Sequence, residues 1–197
     1  MSLHADALDL ITHWRAPSAE QDLLAKEYAE HLVEHPDGVW RSCFPAHLTA
    51  GALVLSHDRG QVLLNLHRKA RRWFHFGGHL EPTDATLAGA ALREAAEESG
   101  LQGLMVEAEP LHLSRHTVDF CDPRGPVEHL DVRFLALLGS DCEPTVSEES
   151  LDVRWWPVDE LPTDAPDMVE LIDLALRPVT RPTSPGRGPA RRPAGTA

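Results

Sequence analysis

The sequence predicts an α/β domain that is preceded by helices, because helical and strand patterns follow one another along most of the chain. Residues 1–36 have helical periodicity. Two short apolar runs at 50–55 and 62–66 are separated by a polar, glycine-containing loop, which indicates a β-hairpin. An Ala- and Leu-rich stretch then predicts a long helix over about 85–99.

The N-terminal helical segment carries both a start signal and an apolar face. Leu24, Tyr28 and Leu32 recur every four residues and therefore share one helix face. Ser18 is followed three residues later by Gln21, which resembles a capping box with Ser18 as the N-cap. Such a helix either packs on the domain that follows or forms a dimerisation surface, and the sequence leaves both open.

The second half of the domain is predicted to be mainly strands. Apolar segments predict strands near 104–107, 111–118, 129–138 and 153–157, and the pattern of 167–176 predicts a final helix. Gly100 directly after the long helix suits the left-handed conformation that ends many helices.

These boundaries divide the chain into three parts. Residues 1–44 form an N-terminal helical extension, residues 45–176 form the α/β domain, and residues 177–197 form a Pro- and Arg-rich tail. The tail contains too few apolar residues to offset the entropy lost on ordering, so the sequence predicts that it is disordered.

Composition excludes several classes of partner. The formal net charge of −13 makes a general nucleic-acid-coating role unfavourable, since phosphates carry the same sign. No apolar stretch approaches the roughly 18 residues that span a bilayer. The cysteine count is odd, without a C-x-x-C pair, which indicates reduced thiols in the cytoplasm. The twelve histidines are scattered and form no zinc-binding pattern in the sequence.

Three carboxylates on the predicted long helix suggest a metal site. Glu94, Glu97 and Glu98 stand at i, i+3 and i+4, so their side chains emerge on one helix face. Such a cluster is common as a solvated surface, but here Gly77 and Gly78 precede the helix and permit close approach of backbone to a metal or phosphate. Hard oxygen ligands favour Mg²⁺ or Mn²⁺.

This segment resembles the signature of the Nudix hydrolase family, G-x5-E-x7-R-E-U-x-E-E-x-G-U, in which U is a bulky apolar residue. The matching positions are Gly78, Arg93, Glu94, Glu97, Glu98, Gly100 and Leu101. There are three departures: the acid six residues after Gly78 is Asp84, eight residues separate it from Arg93, and Ala95 is small. Two of these departures concern Asp84 and its spacing from Arg93, while the metal-binding half of the motif is intact.

The resemblance implies an α/β/α sandwich with a mixed sheet and hydrolysis of a nucleoside diphosphate linked to another group. It implies that Gly78, Glu94, Glu97 and Glu98 bind Mg²⁺ or Mn²⁺, with Glu97 and Glu98 also catalytic. Arg93 would orient a carboxylate. A further catalytic glutamate outside the motif is expected in the segment 147–150, with Glu149 preferred to Glu148.

Three residues at positions that the motif does not specify are predicted to bind substrate. Arg68 lies in the dense basic cluster of the body and suits a phosphate. His79 directly follows the glycines. His129 shares a strand face with Asp131, and such a pair can position or protonate a substrate, although a structural role is the more common one for histidines such as these two.

The predicted partner is a small nucleotide or another diphosphate, with neither nucleic acid nor membrane, and a homodimer stays open. Within this function the substrate class is undecided between a nucleoside triphosphate, a nucleotide sugar, ADP-ribose, a dinucleoside polyphosphate and a non-nucleotide diphosphate. The alternative from another class is a non-catalytic, nucleotide-binding regulatory module of the same fold.

Overall fold

A computed structural model of the chain describes residues 1–139, 142–147 and 150–177. These residues form four helices and eight strands. In chain order the elements are α1 Leu3–His13, α2 Ala19–Glu34, β1 Ala46–Leu55, β2 Gln61–His67, β3 Trp73–Phe74, β4 Phe76–His79, α3 Leu87–Ser99, β5 Leu104–Val106, β6 His112–Asp122, β7 Gly125–Leu138, β8 Ser150–Pro157 and α4 Pro166–Leu176.

The start of α2 confirms the predicted N-cap but corrects the capping box. The Ser18 hydroxyl accepts a hydrogen bond from the Gln21 amide at 3.3 Å. The Gln21 side chain does not return to Ser18. It is buried and pairs with the backbone of Leu113 in β6, donating from Nε2 to the carbonyl and accepting from the amide. Gln21 therefore joins α2 to the sheet.

All eight strands belong to one mixed sheet. Its central strand, β1, pairs in parallel with β7 and antiparallel with β2 and β4. Strands β5 and β6 continue from β7, whereas β3 and β8 continue from β2, and all of these pairs are antiparallel.

Two apolar layers cover the two faces of the sheet. Along β1, Leu48, Ala50 and other even-numbered residues face the layer that contains α1, α2 and α3. Leu53 and Leu55 face a second layer that contains α4. This alternation follows from the two-residue period of a strand. The predicted α/β/α sandwich with a mixed sheet is confirmed.

The N-terminal helices contribute to the first layer. Ile11 in α1 and Tyr28 and Leu32 in α2 are fully buried in the same cluster as the sheet residues. Asp6 in α1 also accepts a hydrogen bond at 2.9 Å from the amide of Leu87, the first residue of α3. This contact satisfies one of the backbone donors that a helix leaves unpaired at its start.

Two features of the sheet differ from the predicted strands. The glycine segment is itself a strand, β4, rather than the end of one, because β1 supplies its hydrogen-bonding partner. The hairpin of β6 and β7 is longer than predicted and extends to Asp122 and Gly125. The extension brings Cys121 onto the sheet. Among the described helices, none combines the length and the apolar character needed to cross a bilayer.

Candidate active site

Two glycines of β4 let side chains approach the backbone closely. Gly77 lies opposite Gly51 of β1, and a Cβ atom at Gly77 would stand only 2.8 Å from the Gly51 Cα. A Cβ atom at Gly78 would stand 2.7 Å from Oε1 of Glu94. Any other residue at position 78 would therefore displace the Glu94 carboxylate.

Helix α3 presents the acidic residues to this strand. It begins after Thr86, whose hydroxyl accepts a hydrogen bond from the Gly89 amide at 3.0 Å. It ends at Gly100, which has the left-handed φ of 69° predicted for that position. The helix therefore starts two residues later than predicted and ends as predicted.

The Arg93 guanidinium donates hydrogen bonds to most of the acidic residues of the site. Its Nε and Nη2 atoms donate to the two carboxylate oxygens of Asp84, both at 3.0 Å, and Nη2 also donates to the His79 carbonyl at 3.0 Å. Its Nη1 atom donates to Glu94 at 2.9 Å and to Glu97 at 3.1 Å. The hydrogen bond to Asp84 is the main cause that raises the pKa of Arg93. One guanidinium thus holds three carboxylates and the end of β4 in place.

Asp84 completes this arrangement despite its shorter side chain. Burial acts to raise the pKa of Asp84, but hydrogen bonds from Arg93 and from the Glu81 amide hold it below its ordinary value. Asp84 therefore serves as an ionised anchor for Arg93. The extra residue between Asp84 and Arg93 does not prevent their pairing.

Glu98 is the buried member of the acidic set. Its side chain reaches back to β4, where Oε2 accepts hydrogen bonds from the Gly77 amide and from Asn65 Nδ2, both at 3.3 Å. A glutamate with only 7% of its surface exposed is unusual in proteins. Glu94 and Glu98 thus reach the two adjacent glycines, whereas Glu97 is largely exposed at 61% of its side chain.

Arg68 lies exposed in the turn after β2, and its Nη2 atom donates to the Ser150 carbonyl at 3.1 Å. It therefore contacts the start of β8. Glu149, the further catalytic glutamate predicted outside the motif, and its neighbour Glu148 lie outside the described residues.

The comparisons with known proteins agree with this geometry. The family model described as NUDIX domain matches residues 45–175, which is more than half of the chain. The chain belongs to the Nudix family. No curated protein was found to match its sequence.

Three solved structures illustrate the shared Nudix fold. A NUDIX-family hydrolase from Clostridium perfringens is 23% identical with a TM-score of 0.52, over 65% of this chain and 97% of its own. The NUDIX domain of Shewanella oneidensis NrtR, complexed with ADP-ribose, is 24% identical with a TM-score of 0.52, over 75% and 95%. A MutT NUDIX hydrolase from Burkholderia pseudomallei is 22% identical with a TM-score of 0.50, over 66% and 97%.

His79 and His129 lie together but away from the Nudix carboxylates. Side chains alternate along β4, so His79 projects to the face opposite the one on which Gly78 meets Glu94. There its imidazole joins His47, His129 and Cys121. Burial, followed by the neighbouring imidazoles, lowers the pKa of His79 to about 4 and that of His129 to about 3. Both are therefore neutral at pH 7.

Next to this cluster the same face carries a buried polar network centred on Asp131. Its carboxylate accepts hydrogen bonds from Thr49 Oγ1 at 3.0 Å and from Arg133 Nε at 2.8 Å. His75 Nε2 lies 3.3 Å from the second oxygen. Burial and the charge of Arg133 lower the pKa of His75, so His75 acts as a neutral donor. The predicted proximity of His129 and Asp131 on one face agrees with the strand register.

His112, further along the same face, should make folding stability depend on pH. Burial, and then the charge of Arg133, lowers the pKa of His112 to about 4. Below the ordinary pKa of about 6.5, the unfolded chain binds a proton that the folded chain does not. The contribution of His112 to the free energy of unfolding is therefore fully present above pH 6.5 and is lost as pH falls towards 4.

We expect His112→Gln to remove up to about one proton from the uptake on unfolding between pH 6.5 and 4. Urea denaturation at several pH values gives the free energy of unfolding as a function of pH, and the slope of that dependence measures the proton uptake. The exposed His13 on the surface of α1 provides the matched control, so the result for His112→Gln is compared with that for His13→Gln. Equal slopes for wild type and His112→Gln would contradict the prediction.

Proposed function

We propose that this Nudix protein is a metal-dependent hydrolase that cuts the diphosphate bond of a nucleoside diphosphate linked to another group. The observation that supports it most is the meeting of the Glu94 and Glu98 carboxylates with the backbone of Gly78 and Gly77. Carboxylate oxygens from one helix face thus lie beside two glycines, which supports an oxygen-ligated metal ion at this position.

The proposed ligands of Mg²⁺ or Mn²⁺ are the Gly78 carbonyl and the carboxylates of Glu94, Glu97 and Glu98. The donor set fits, since these ions prefer oxygen and take a few carboxylates together with waters and substrate phosphates. When bound, the ion would neutralise the diphosphate and lower the pKa of a bound water.

The protein residues then have distinct tasks. Arg93 holds Glu94 and Glu97 in position through its Nη1 atom. A carboxylate takes the proton of the attacking water, and Glu98, Glu97 and Glu149 are the candidates for this base. Water attacks phosphorus, its proton passes to that carboxylate, and the bond to the leaving phosphate oxygen breaks.

Arg68 is proposed to contact a substrate phosphate, since its guanidinium lies in the basic turn beside β8. Substrate binding by His79 and His129 stays a prediction, although both side chains lie on the sheet face opposite the Nudix carboxylates. No disulfide joins cysteines among the described residues, and the cytoplasmic location is proposed from the odd cysteine count. The proposed partner is a small diphosphate rather than nucleic acid, and a homodimer stays open.

The direct test is a panel of the five diphosphate classes assayed for release of phosphate or a phosphorylated product. ADP-ribose comes first because a Nudix domain of the same fold binds it. We expect turnover with Mg²⁺ that is abolished by EDTA and restored by added Mg²⁺. Turnover that survives EDTA would reject the metal-dependent mechanism. Binding across the panel without turnover would indicate the non-catalytic regulatory module.

Arg93→Lys should weaken metal binding or activity about 10- to 100-fold, the usual effect of losing a residue that orients metal ligands. Lysine keeps the charge but cannot donate to Asp84, Glu94 and the His79 carbonyl together. Activity as a function of Mg²⁺ concentration measures the change. Arg154→Lys, at an exposed arginine paired with Asp152, serves as control and should match wild type. Equal Mg²⁺ dependence in both variants would contradict the role of Arg93.

A further inference from the structure

Four ligand atoms converge on the sheet face opposite the Nudix carboxylates. They come from His47, His79, Cys121 and His129, and all of them lie within 4.8 Å of one another. The Cys121 Sγ atom is 3.3 Å from His79 Nε2, 3.3 Å from His129 Nε2 and 4.0 Å from His47 Nε2. A tetrahedral zinc site, with Zn–N bonds of about 2.0 Å and a Zn–S bond of about 2.3 Å, separates nitrogen from sulfur by about 3.5 Å.

The three imidazoles are arranged as a triangle rather than a stack. Their ring centroids are 5.0 Å apart for His47 and His129, and 5.1 Å apart for each of the other two pairs. The sheet fixes this spacing, because His47 and His129 are direct partners on the parallel strands β1 and β7. His79 is presented by β4, the antiparallel neighbour of β1.

One of these rings has its tautomer fixed by the backbone. His47 Nδ1 lies 3.1 Å from the Cys43 carbonyl, which can only accept a hydrogen bond, so Nδ1 carries the proton. The Nε2 lone pair of His47 therefore points towards Cys121. A backbone carbonyl on the second ring nitrogen is a common way to orient a metal-binding histidine.

A metal ion would satisfy the lone pairs of the three imidazoles and the sulfur better than the thiol proton can. The single thiol hydrogen of Cys121 can be donated to only one of the three nitrogens. A metal ion accepts electron pairs from all four atoms, after the thiol has lost its proton to solvent. His47 is fully buried and Cys121 is 8% exposed, so water offers them little alternative.

We propose that His47, His79, Cys121 and His129 bind one divalent transition-metal ion of the zinc class, at a site separate from the Mg²⁺ site of the Nudix motif. Three imidazoles and a thiolate favour such an ion over Mg²⁺, which prefers oxygen. Four protein ligands leave no open position on a tetrahedral ion, so the site is structural.

The ion would join four strands, because its ligands lie on β1, β4, β6 and β7. Its closest link to the proposed catalytic site is His79, whose neighbour Gly78 meets Glu94 and whose carbonyl accepts from Arg93. Binding would therefore hold β4 in place behind the Nudix carboxylates. This last step depends on the proposed function, whereas metal binding itself does not.

The test uses the full chain, stripped with a chelator and titrated with Zn²⁺ and with Co²⁺, followed by elemental analysis of the Zn²⁺ form. We expect one equivalent of either metal, a rise in Tm by mass action, and a sulfur-to-cobalt charge-transfer band. Cys121→Ser should abolish that band. Cys142→Ser, at an exposed cysteine, should keep it. Glu98→Gln should also keep it, which separates this site from the catalytic one.

Several outcomes would overturn the proposal. A folded wild-type chain, verified by circular dichroism, that binds no stoichiometric Co²⁺ or shows no charge-transfer band excludes the site without any variant. Loss of the band in Cys43→Ser with retention in Cys121→Ser would move the metal to the group of His35, Asp37 and Cys43. An unchanged cobalt spectrum in His129→Asn, accompanied by a higher KM, would assign His129 to the substrate instead.

Discussion

Replacing Glu98 by glutamine is expected to lower the metal-dependent hydrolysis rate at least about a hundredfold, the usual scale for loss of a key catalytic group. Glutamine has nearly the same shape, and its carbonyl oxygen can still accept from the Gly77 amide and from Asn65. The substitution therefore removes the negative charge while preserving the local fold. The charge is what a metal ligand or a general base requires.

The measurement compares kcat and the Mg²⁺ dependence of wild type and Glu98→Gln on whichever substrate the panel identifies. Glu109→Gln, at an exposed glutamate in the loop before β6, is the matched control and should behave as wild type. Thermal unfolding of all three proteins checks that the fold is intact. A rate within about twofold of wild type for Glu98→Gln would show that Glu98 takes no part in the reaction.

Asp131→Asn is expected to give the largest loss of stability, about 3–5 kcal/mol, which is typical when one partner of a buried ion pair is removed. Arg133 would remain buried, with Asp167 at 3.3 Å as its other carboxylate contact. The shift of the urea midpoint at constant m-value measures the loss. Asp164→Asn, at an exposed aspartate, should change stability by less than about 0.5 kcal/mol. Similar midpoints for the two variants would contradict this role of Asp131.

The effect of Asp131 should also depend on pH in a defined direction. Burial acts to raise the pKa of Asp131, but the hydrogen bond from His75 and the charge of Arg133 hold it well below its ordinary value. Its contribution is therefore fully present above about pH 4 and is lost as pH falls through the lower folded-state pKa. The difference between wild type and Asp131→Asn should shrink in that acidic range.

The parts of the site that the sequence predicted are those set by local spacing. Glu94, Glu97 and Glu98 share a helix face because of the helical period, and Gly100 ends that helix because it can adopt a left-handed conformation. The contact of Gly78 with Glu94 agrees with the close approach that glycine allows. Local patterns of this kind also gave the hairpin of β1 and β2 and the helix α4.

The parts that the sequence did not predict depend on distant partners. Two adjacent glycines have no strand propensity, and they form β4 only because β1 pairs with them. The cluster of His47, His79, Cys121 and His129 draws on four strands, so it leaves no short spacing that a zinc pattern could match. Strand alternation gave partial information about this cluster, because the odd-numbered His47 and His129 lie on the same sheet face as Asp131.

The hydrogen bond from the Leu87 amide to Asp6 has a consequence for the size of the cooperative folding unit. The matched Nudix domain spans residues 45–175, yet the helix that carries its carboxylates starts against a side chain near the N-terminus. A fragment trimmed to the matched range would expose the sheet surface that Ile11, Tyr28 and Leu32 cover. Such a fragment should aggregate through this exposed apolar surface. Homodimer formation is therefore better tested in the full chain, by substituting the exposed Leu23 and Val33 of α2.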